Sequence, residues 1–208
     1  MSYEEQSLDL RVFLEQHALG PAVVVGHSMG GKAAMHFALT NPDWVVALVV
    51  VDIAPVSYPL EDEPSNTHRH LIETMLQLDV SRFTERRTVD AALAPAIADA
   101  GLRAFLTHNL VRSGKGFRWR LNLPVLGESL NTLRAFPDVH PAVFRGPTLF
   151  VRGGASDYIS SAHHPEMAGF FPGHKVISVE SAGHWVHAER PTDVANAINA
   201  FVRRAGAG

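Results

Sequence analysis

The segment Ala22-Val23-Val24-Val25-Gly26-His27-Ser28-Met29-Gly30-Gly31-Lys32-Ala33-Ala34 determines how the rest of the sequence is interpreted. An apolar β-branched run leads into a Gly-x-Ser-x-Gly pentapeptide and then into a helix-prone stretch, which predicts a strand, a sharp turn and a helix. We expect Ser28 at the tip of the turn in a strained left-handed conformation. We expect glycine to be required at positions 26 and 30, because the strand and the helix pass too close there for a Cβ.

The predicted helix gives this serine an electrostatic environment suited to nucleophilic chemistry. The first N–H groups of a helix have no carbonyl partner within it and carry a partial positive charge. Directed at the space above Ser28 Oγ, they would stabilise an oxyanion, and the backbone N–H of Met29 is the expected donor. The pattern therefore predicts a nucleophile elbow.

The same residues also match most of a nucleotide-binding P-loop. Gly26-x-x-x-x-Gly31-Lys32 has the P-loop spacing, and the apolar run with its aspartate at 48–52 could supply the second strand of such a site. A P-loop needs Ser or Thr directly after the lysine to bind Mg²⁺, and Ala33 has no hydroxyl. We therefore favour the elbow, with a P-loop protein and a glycine-rich turn without chemistry as alternatives. Lys32 is expected to extend into solvent.

Composition excludes several classes of protein. The chain has 208 residues, 46% of them hydrophobic, which is enough for one globular core with an inserted subdomain. It has no cysteine, so disulfides, thiolate metal sites and a cysteine nucleophile are excluded. A formal net charge of −3 provides no basic field for nucleic acid, and no apolar run approaches the roughly 20 residues that span a bilayer. We expect a soluble, cytoplasmic chain with no nucleic-acid partner.

Strand and helix patterns alternate along the chain, with one long interruption. The predicted elements, in order, are helix 2–17, strand 22–25, helix 30–39, strand 45–51, strand 148–151, strand 176–179 and helix 191–203. Between 56 and 143, charged helical segments replace the alternation, which indicates an insertion between two strands. The alternation predicts an α/β fold with a mostly parallel sheet and helices on both faces.

The chain contains partners that would activate the serine. A serine hydroxyl is a weak nucleophile near neutral pH, so it needs an imidazole to accept its proton and a carboxylate to orient the imidazole. His184 follows a predicted strand in a Ser-x-Gly-His-Trp loop, and Asp157 and Asp52 each follow another strand. Open α/β sheets place functional groups at these carboxyl ends. We predict a triad of Ser28, His184 and Asp157, with Asp52 as the alternative acid.

Five segments of the chain carry a resemblance to a known family. They are Gly-His-Ser-Met-Gly-Gly-Lys at 26–32, Val-Asp-Ile-Ala-Pro-Val at 51–56, Trp-Arg-Leu-Asn-Leu at 119–123, Gly-Pro-Thr-Leu-Phe-Val-Arg-Gly-Gly at 146–154 and Ala-Gly-His-Trp-Val-His at 182–187. Together they resemble the α/β-hydrolase esterases grouped with abhydrolase-domain-containing protein 11 and its small bacterial relatives. The resemblance implies the α/β-hydrolase fold, with a core of 1–55 and 144–208 and a helical cap at 56–143.

The resemblance also implies an activity. It points to a serine hydrolase that cleaves carboxylic ester or thioester bonds of small acyl or lipid-like substrates and needs no metal or organic cofactor. In some members of the family, the position that matches Asp157 is not acidic and the aspartate that matches Asp52 is used instead. This sequence keeps both, so the choice between the two carboxylates stays open.

The chain departs from the family pattern ahead of its first helix. The family places further strands there, with a His-Gly loop that supplies a second oxyanion N–H. Without them, we expect strand 22–25 to be an exposed edge, catalysis to be weakened and chains to self-associate through that edge. A truncated isoform, a start assigned at an internal methionine or a degenerate copy would fit. The departure also favours, as an alternative function, a catalytically dead binding module derived from the hydrolase. The resemblance implies that a chain with a longer N-terminus would have a mitochondrial location as an alternative.

Overall fold

The computed structural model describes residues 1–58 and 68–206, and these form two compact units. The larger unit contains Ser2–Ser57 and Leu133–Gly208, and the smaller contains Tyr58–Thr132 together with Met1. The stretch 58–132 lies inside the range 56–143 for which the sequence predicts a cap, although residues 59–67 of that range lie outside the described ones. The role of the smaller unit as a cap stays a prediction.

The strands follow the predicted alternation. Those in the described residues are β1 (Ala22–His27), β2 (Val45–Val51), β3 (Leu110–Ser113), β4 (Gly116–Trp119), β5 (Thr148–Gly153) and β6 (His174–Val179). Within the described residues the larger unit has a four-stranded sheet in the order β1-β2-β5-β6, and every neighbouring pair is parallel. Residues 47–50 of β2 have no exposed surface, as expected of an apolar strand covered on both faces.

Helices connect the strands. They are α1 (Tyr3–Gln16), α2 (Met29–Thr40), α3 (His68–Gln77), α4 (Arg86–Leu93), α5 (Ala100–Thr107), α6 (Leu123–Glu128), α7 (Leu130–Arg134), α8 (His164–Phe170), α9 (Val186–Glu189) and α10 (Pro191–Ala205). Ser2 caps α1 in the predicted capping box, in which its hydroxyl accepts from the Glu5 N–H and the Glu5 carboxylate accepts from the Ser2 N–H. Across the described part of the chain, no helix is long and apolar enough to cross a membrane.

The smaller unit has an apolar core of its own. Strands β3 and β4 form an antiparallel hairpin. The hairpin and the surrounding helices bury Met75, Val80, Val89, Leu93, Ile97, Leu106, Leu110, Phe117 and Leu123. Burial of this apolar surface is what stabilises a unit of this size.

The register of the parallel sheet brings the strand ends together. His27 at the end of β1 pairs with Val51 at the end of β2, and Val51 pairs with Val151 of β5. The residues that follow these strands therefore lie at the same edge of the sheet. Among the described strands, β1 is an outer strand of this sheet, and its residue Val25 is 50% exposed. Self-association of chains along β1 stays a prediction.

Candidate active site

Ser28 occupies the turn between β1 and α2. Its backbone has φ 54° and ψ −123°, and its side chain makes no capping hydrogen bond to the helix. The positive φ confirms the predicted strain, although this ψ lies outside the left-handed helical region. Because the hydroxyl does not cap α2, it is available to a group outside the helix.

The close approach of strand and helix requires glycine at one of the two predicted positions around the serine. A Cβ on Gly26 would lie 2.2 Å from the Gly30 carbonyl oxygen, which confirms the predicted close approach of strand and helix. A Cβ on Gly30 would meet nothing within 4 Å, so the prediction for that glycine was wrong. The turn directs the carbonyl of Gly30, and not its Cα, at the strand. The second close approach falls on Gly31, where a Cβ would lie 2.6 Å from Ile53 Cγ2.

A chain of hydrogen bonds joins Ser28 to a buried carboxylate. Ser28 Oγ lies 2.9 Å from His184 Nε2, and His184 Nδ1 lies 2.8 Å from Asp52 Oδ2. A carboxylate only accepts, so Nδ1 carries the proton and Nε2 is left to accept from the serine hydroxyl. The imidazole can therefore take the hydroxyl proton while the carboxylate holds its ring in place.

Both carboxylate oxygens of Asp52 accept hydrogen bonds inside the protein. Asp52 has no exposed surface and a φ of 51°. Besides the imidazole, it accepts the Gly153 N–H on Oδ1 at 2.8 Å and the Ser156 hydroxyl on Oδ2. Such donors replace the water that a buried carboxylate loses. Sequence reasoning missed Ser156, whose only signal was a hydroxyl in a loop at the carboxyl end of a predicted strand.

The structure brings the alternative acid, not the favoured one, against the imidazole. Asp157 is exposed, whereas its neighbour Ser156 is 7% exposed and faces Asp52. The loop after β5 thus directs one side chain inward and the next outward. The preference for Asp157 over Asp52 is corrected accordingly. Both residues follow parallel strands, so the pattern alone could not tell which of them faces His184.

The oxyanion prediction concerns the N-terminus of α2. Met29 is the first residue of α2 and directly follows Ser28. The N–H groups of Gly31 and Lys32 bond to the Ser28 carbonyl at 2.8 and 3.1 Å, so they are used within the helix. The Met29 N–H belongs to the first turn, where helices lack internal acceptors. Its role as an oxyanion donor stays a prediction.

Tyr158 packs flat against the imidazole. The ring centroids of Tyr158 and His184 are 4.0 Å apart, and the planes are inclined by 28°. Burial raises the pKa of the Tyr158 phenol, which therefore stays uncharged at neutral pH. An aromatic face in this position restricts rotation of the imidazole ring.

For the ester hydrolysis that the sequence predicts, replacing Tyr158 with leucine is expected to lower kcat by about 3- to 10-fold, because the stacking contact is lost. Tyr158→Phe keeps the ring and is expected to stay within about twofold of the wild type. Steady-state kinetics on a soluble ester, together with thermal unfolding of each variant, measures the effect. Equal rates in the leucine variant and the wild type would contradict a contribution from the ring.

Lys32 does not extend into solvent, so that expectation was wrong. Its side chain is 2% exposed, and its ammonium donates to the carbonyls of Arg134 and Ala135 at 2.5 and 2.9 Å. These carbonyls lie at the C-terminal end of α7, where a helix leaves its last acceptors unpaired and favours a cation. The long side chain of Lys32 thus ties the elbow helix to residues 134–135. Burial lowers the pKa of Lys32 to about 7.

This burial makes stability depend on pH. In the unfolded chain the lysine keeps its ordinary pKa of 10.5, so between pH 7 and 10.5 the unfolded state binds more protons than the folded state. The free energy of unfolding should therefore rise with pH over this range, by up to about 1.4 kcal/mol per pH unit. Urea unfolding of the wild type and of Lys32→Met at pH 6, 7.5 and 9 measures this pH dependence. Above pH 7, we expect the free energy of unfolding of the wild type to increase relative to that of Lys32→Met. A difference between the two that does not change with pH would contradict the assignment.

Comparison with known proteins gives matches over almost the whole chain. A sequence profile of the alpha/beta hydrolase family matches residues 2–197. The sn-1-specific diacylglycerol lipase ABHD11 of Mus musculus is 42% identical over 205 residues, which are 97% of this chain and 65% of that protein. Esterase YbfF of Escherichia coli (strain K12) is 31% identical over 202 residues, with 97% of this chain and 75% of that protein covered. A marine microorganism esterase of known structure aligns with a TM-score of 0.92 at 33% identity, covering 97% of this chain and 77% of that one.

These matches confirm the predicted fold class. The chain spans slightly less than two thirds of the length of the diacylglycerol lipases that it matches. The match to the family profile covers β1, the elbow and the loop of His184. The parallel sheet and its flanking helices are those of the solved esterase with which it aligns. The protein therefore belongs to the alpha/beta hydrolase family.

Proposed function

We propose that this chain is a serine hydrolase of carboxylic esters, with Ser28 as nucleophile, His184 as general base and acid, and Asp52 as the orienting carboxylate. The observation that carries the proposal is the unbroken path from Ser28 Oγ to His184 at 2.9 Å and from His184 to Asp52 at 2.8 Å. Nucleophile, base and orienting acid stand within hydrogen-bonding distance in the order that acyl transfer requires.

The first half of the reaction acylates the serine. Ser28 Oγ attacks the ester carbonyl carbon while His184 Nε2 takes the hydroxyl proton, and the carbonyl π electrons move onto oxygen. The Met29 N–H would donate to that oxyanion. Asp52 stabilises the imidazolium through the Nδ1–H bond. When the tetrahedral intermediate collapses, the C–O bond to the alcohol breaks and Nε2–H protonates the leaving oxygen.

The second half releases the acid. Water takes the position of the alcohol, gives a proton to His184 Nε2 and attacks the acyl carbon. Collapse of the second tetrahedral intermediate breaks the bond to Ser28 Oγ, and the imidazolium returns its proton to that oxygen. The enzyme regains its starting state, and the net change is ester plus water to acid plus alcohol. In each proton transfer, His184 Nε2 is the group that accepts or returns the proton.

The relatives suggest the class of substrate. Their names describe esterases and a lipase specific for the sn-1 position of diacylglycerol. We infer small acyl or lipid-like esters for this chain, with thioesters as a second class, because attack at a thioester carbonyl uses the same nucleophile and base. Matched oxygen and sulfur esters of one acyl chain, compared by kcat/KM, distinguish the two classes.

A fluorophosphonate probe tests the proposal directly. The probe phosphonylates an activated serine, so mass spectrometry should find the adduct on the peptide that contains Ser28, and boiling the protein first should abolish it. Mg-ATP binding, measured by calorimetry on the same sample, tests the P-loop alternative. An unlabelled Ser28 in folded protein would overturn the hydrolase proposal in favour of a binding module, and tight Mg-ATP binding would favour the nucleotide site.

A further inference from the structure

His27 connects the elbow to the loop that carries the base. It is the last residue of β1 and directly precedes Ser28, and its Nε2 lies 2.8 Å from the backbone carbonyl oxygen of His184. The path from His27 to this carbonyl is independent of the Ser28–His184 contact. Ser28 and His184 are therefore joined twice, once through their side chains and once through the His27 ring and the backbone.

The loop of His184 needs such a contact. It lies between the end of β6 at Val179 and the start of α9 at Val186, so neither element contains it. On one side the Gly183 N–H donates to Glu189 Oε2 at 2.8 Å. On the other side the His184 carbonyl accepts from His27. A general base must stay within hydrogen-bonding distance of its nucleophile, and a displacement of about 1 Å can cost about 100-fold in rate.

The contact also determines the form of the His27 ring. A backbone carbonyl only accepts, so Nε2 must carry a proton. Burial is the largest of the causes that together lower the pKa of His27 to about 4. The hydrogen bond to the His184 carbonyl and the charge of Asp52 act in the opposite direction, and the imidazoles of His184 and His187 act with burial. The ring is thus uncharged near neutral pH. A cation here would oppose the imidazolium that forms on His184, whose ring centroid is 4.8 Å away.

We propose that His27 is a positioning residue for His184, donating Nε2–H to its backbone carbonyl so that the imidazole stays in line with Ser28 Oγ. The inference rests on the proposed function, since it assigns His184 as the base. The inference gives a role to the His27 side chain, which belongs to the Gly-His-Ser-Met-Gly turn but takes no part in the proposed proton transfers.

Two substitutions of unequal reach test the role. The side-chain amide of glutamine can place an N–H near the position of Nε2, whereas the shorter asparagine cannot reach it. We expect His27→Asn to lower kcat by about 100-fold with little change in KM, and His27→Gln to recover most of that loss. His187→Asn is the matched control, because His187 is exposed and its ring lies 4.5 Å from that of His27. We expect it to stay near the wild-type rate.

The outcomes separate this role from the proposed function. Fluorophosphonate labelling of wild-type Ser28 establishes the hydrolase first, and the labelling rates of the variants then follow kcat. Equal loss in His27→Asn and His27→Gln, or wild-type rates in both, would overturn the positioning role while leaving the hydrolase intact. ¹⁵N NMR of the histidine rings gives a test without turnover. We expect a neutral Nε2–H tautomer for His27 between pH 5.5 and 8, and a neutral Nδ1–H tautomer would overturn the assignment.

Discussion

Replacing Ser28 with alanine is expected to lower kcat for ester hydrolysis by about 10⁶-fold, because the variant has no oxygen to form the acyl intermediate. The side chain makes no capping bond to α2, so its loss should leave folding intact. Any remaining turnover would come from water attacking within a site that still binds substrate. Initial rates with an activated ester, corrected for hydrolysis in buffer, measure the change.

Another serine provides the matched control for this result. Ser129 follows α6 in the smaller unit and has no part in the proposed proton relay. Ser129→Ala should keep the wild-type rate and the wild-type labelling by fluorophosphonate. If Ser28→Ala instead hydrolysed esters as fast as the wild type, the activity would belong to another group and the proposed function would fail.

Replacing Asp52 with asparagine is expected to lower kcat by about 10⁴-fold. Asparagine has the size of aspartate but no charge, so it does not stabilise the imidazolium. Its amide can also donate to Nδ1, which would move the imidazole proton to Nε2 and prevent this nitrogen from accepting the serine proton. We expect KM to change little, because the lost interaction belongs to the transition state.

Asp157→Asn is the control that decides between the two carboxylates. Asp157 is exposed, and His184 Nδ1 bonds to Asp52 instead. The control variant should therefore keep kcat within about twofold of the wild type, as surface substitutions usually do. A large loss in Asp157→Asn with near-normal activity in Asp52→Asn would reverse the assignment. Circular dichroism of both variants separates loss of activity from loss of folding.

Local patterns were enough to predict the elbow. A β-branched run, a Gly-x-Ser-x-Gly turn and a helical segment are consecutive in sequence, so the backbone restrictions that shape them act between neighbouring residues. The predicted positive φ of Ser28 and the close approach at Gly26 are both present. The prediction for Gly30 failed because the direction of each Cβ depends on how α2 leaves the turn.

The chain order determined which residues were candidates, but not which of them meet. His184 was identified because it follows a predicted strand, and it contacts a serine 156 positions earlier in the chain. Asp52 and Asp157 satisfied the same pattern. Only the register of β2 against β5, together with the path of the next loop, turned Ser156 toward Asp52 and Asp157 toward solvent.

By itself, then, the sequence determined the α/β alternation, the elbow and the short set of polar residues at the strand ends, because periodicity and turn chemistry are local properties. Tertiary structure alone decided that Asp52 faces His184, that Lys32 is buried against carbonyls about 100 residues away, and that His27 bonds to the His184 backbone. Each of these depends on contacts between distant segments, where the packing of strands and loops sets distances that no local pattern encodes.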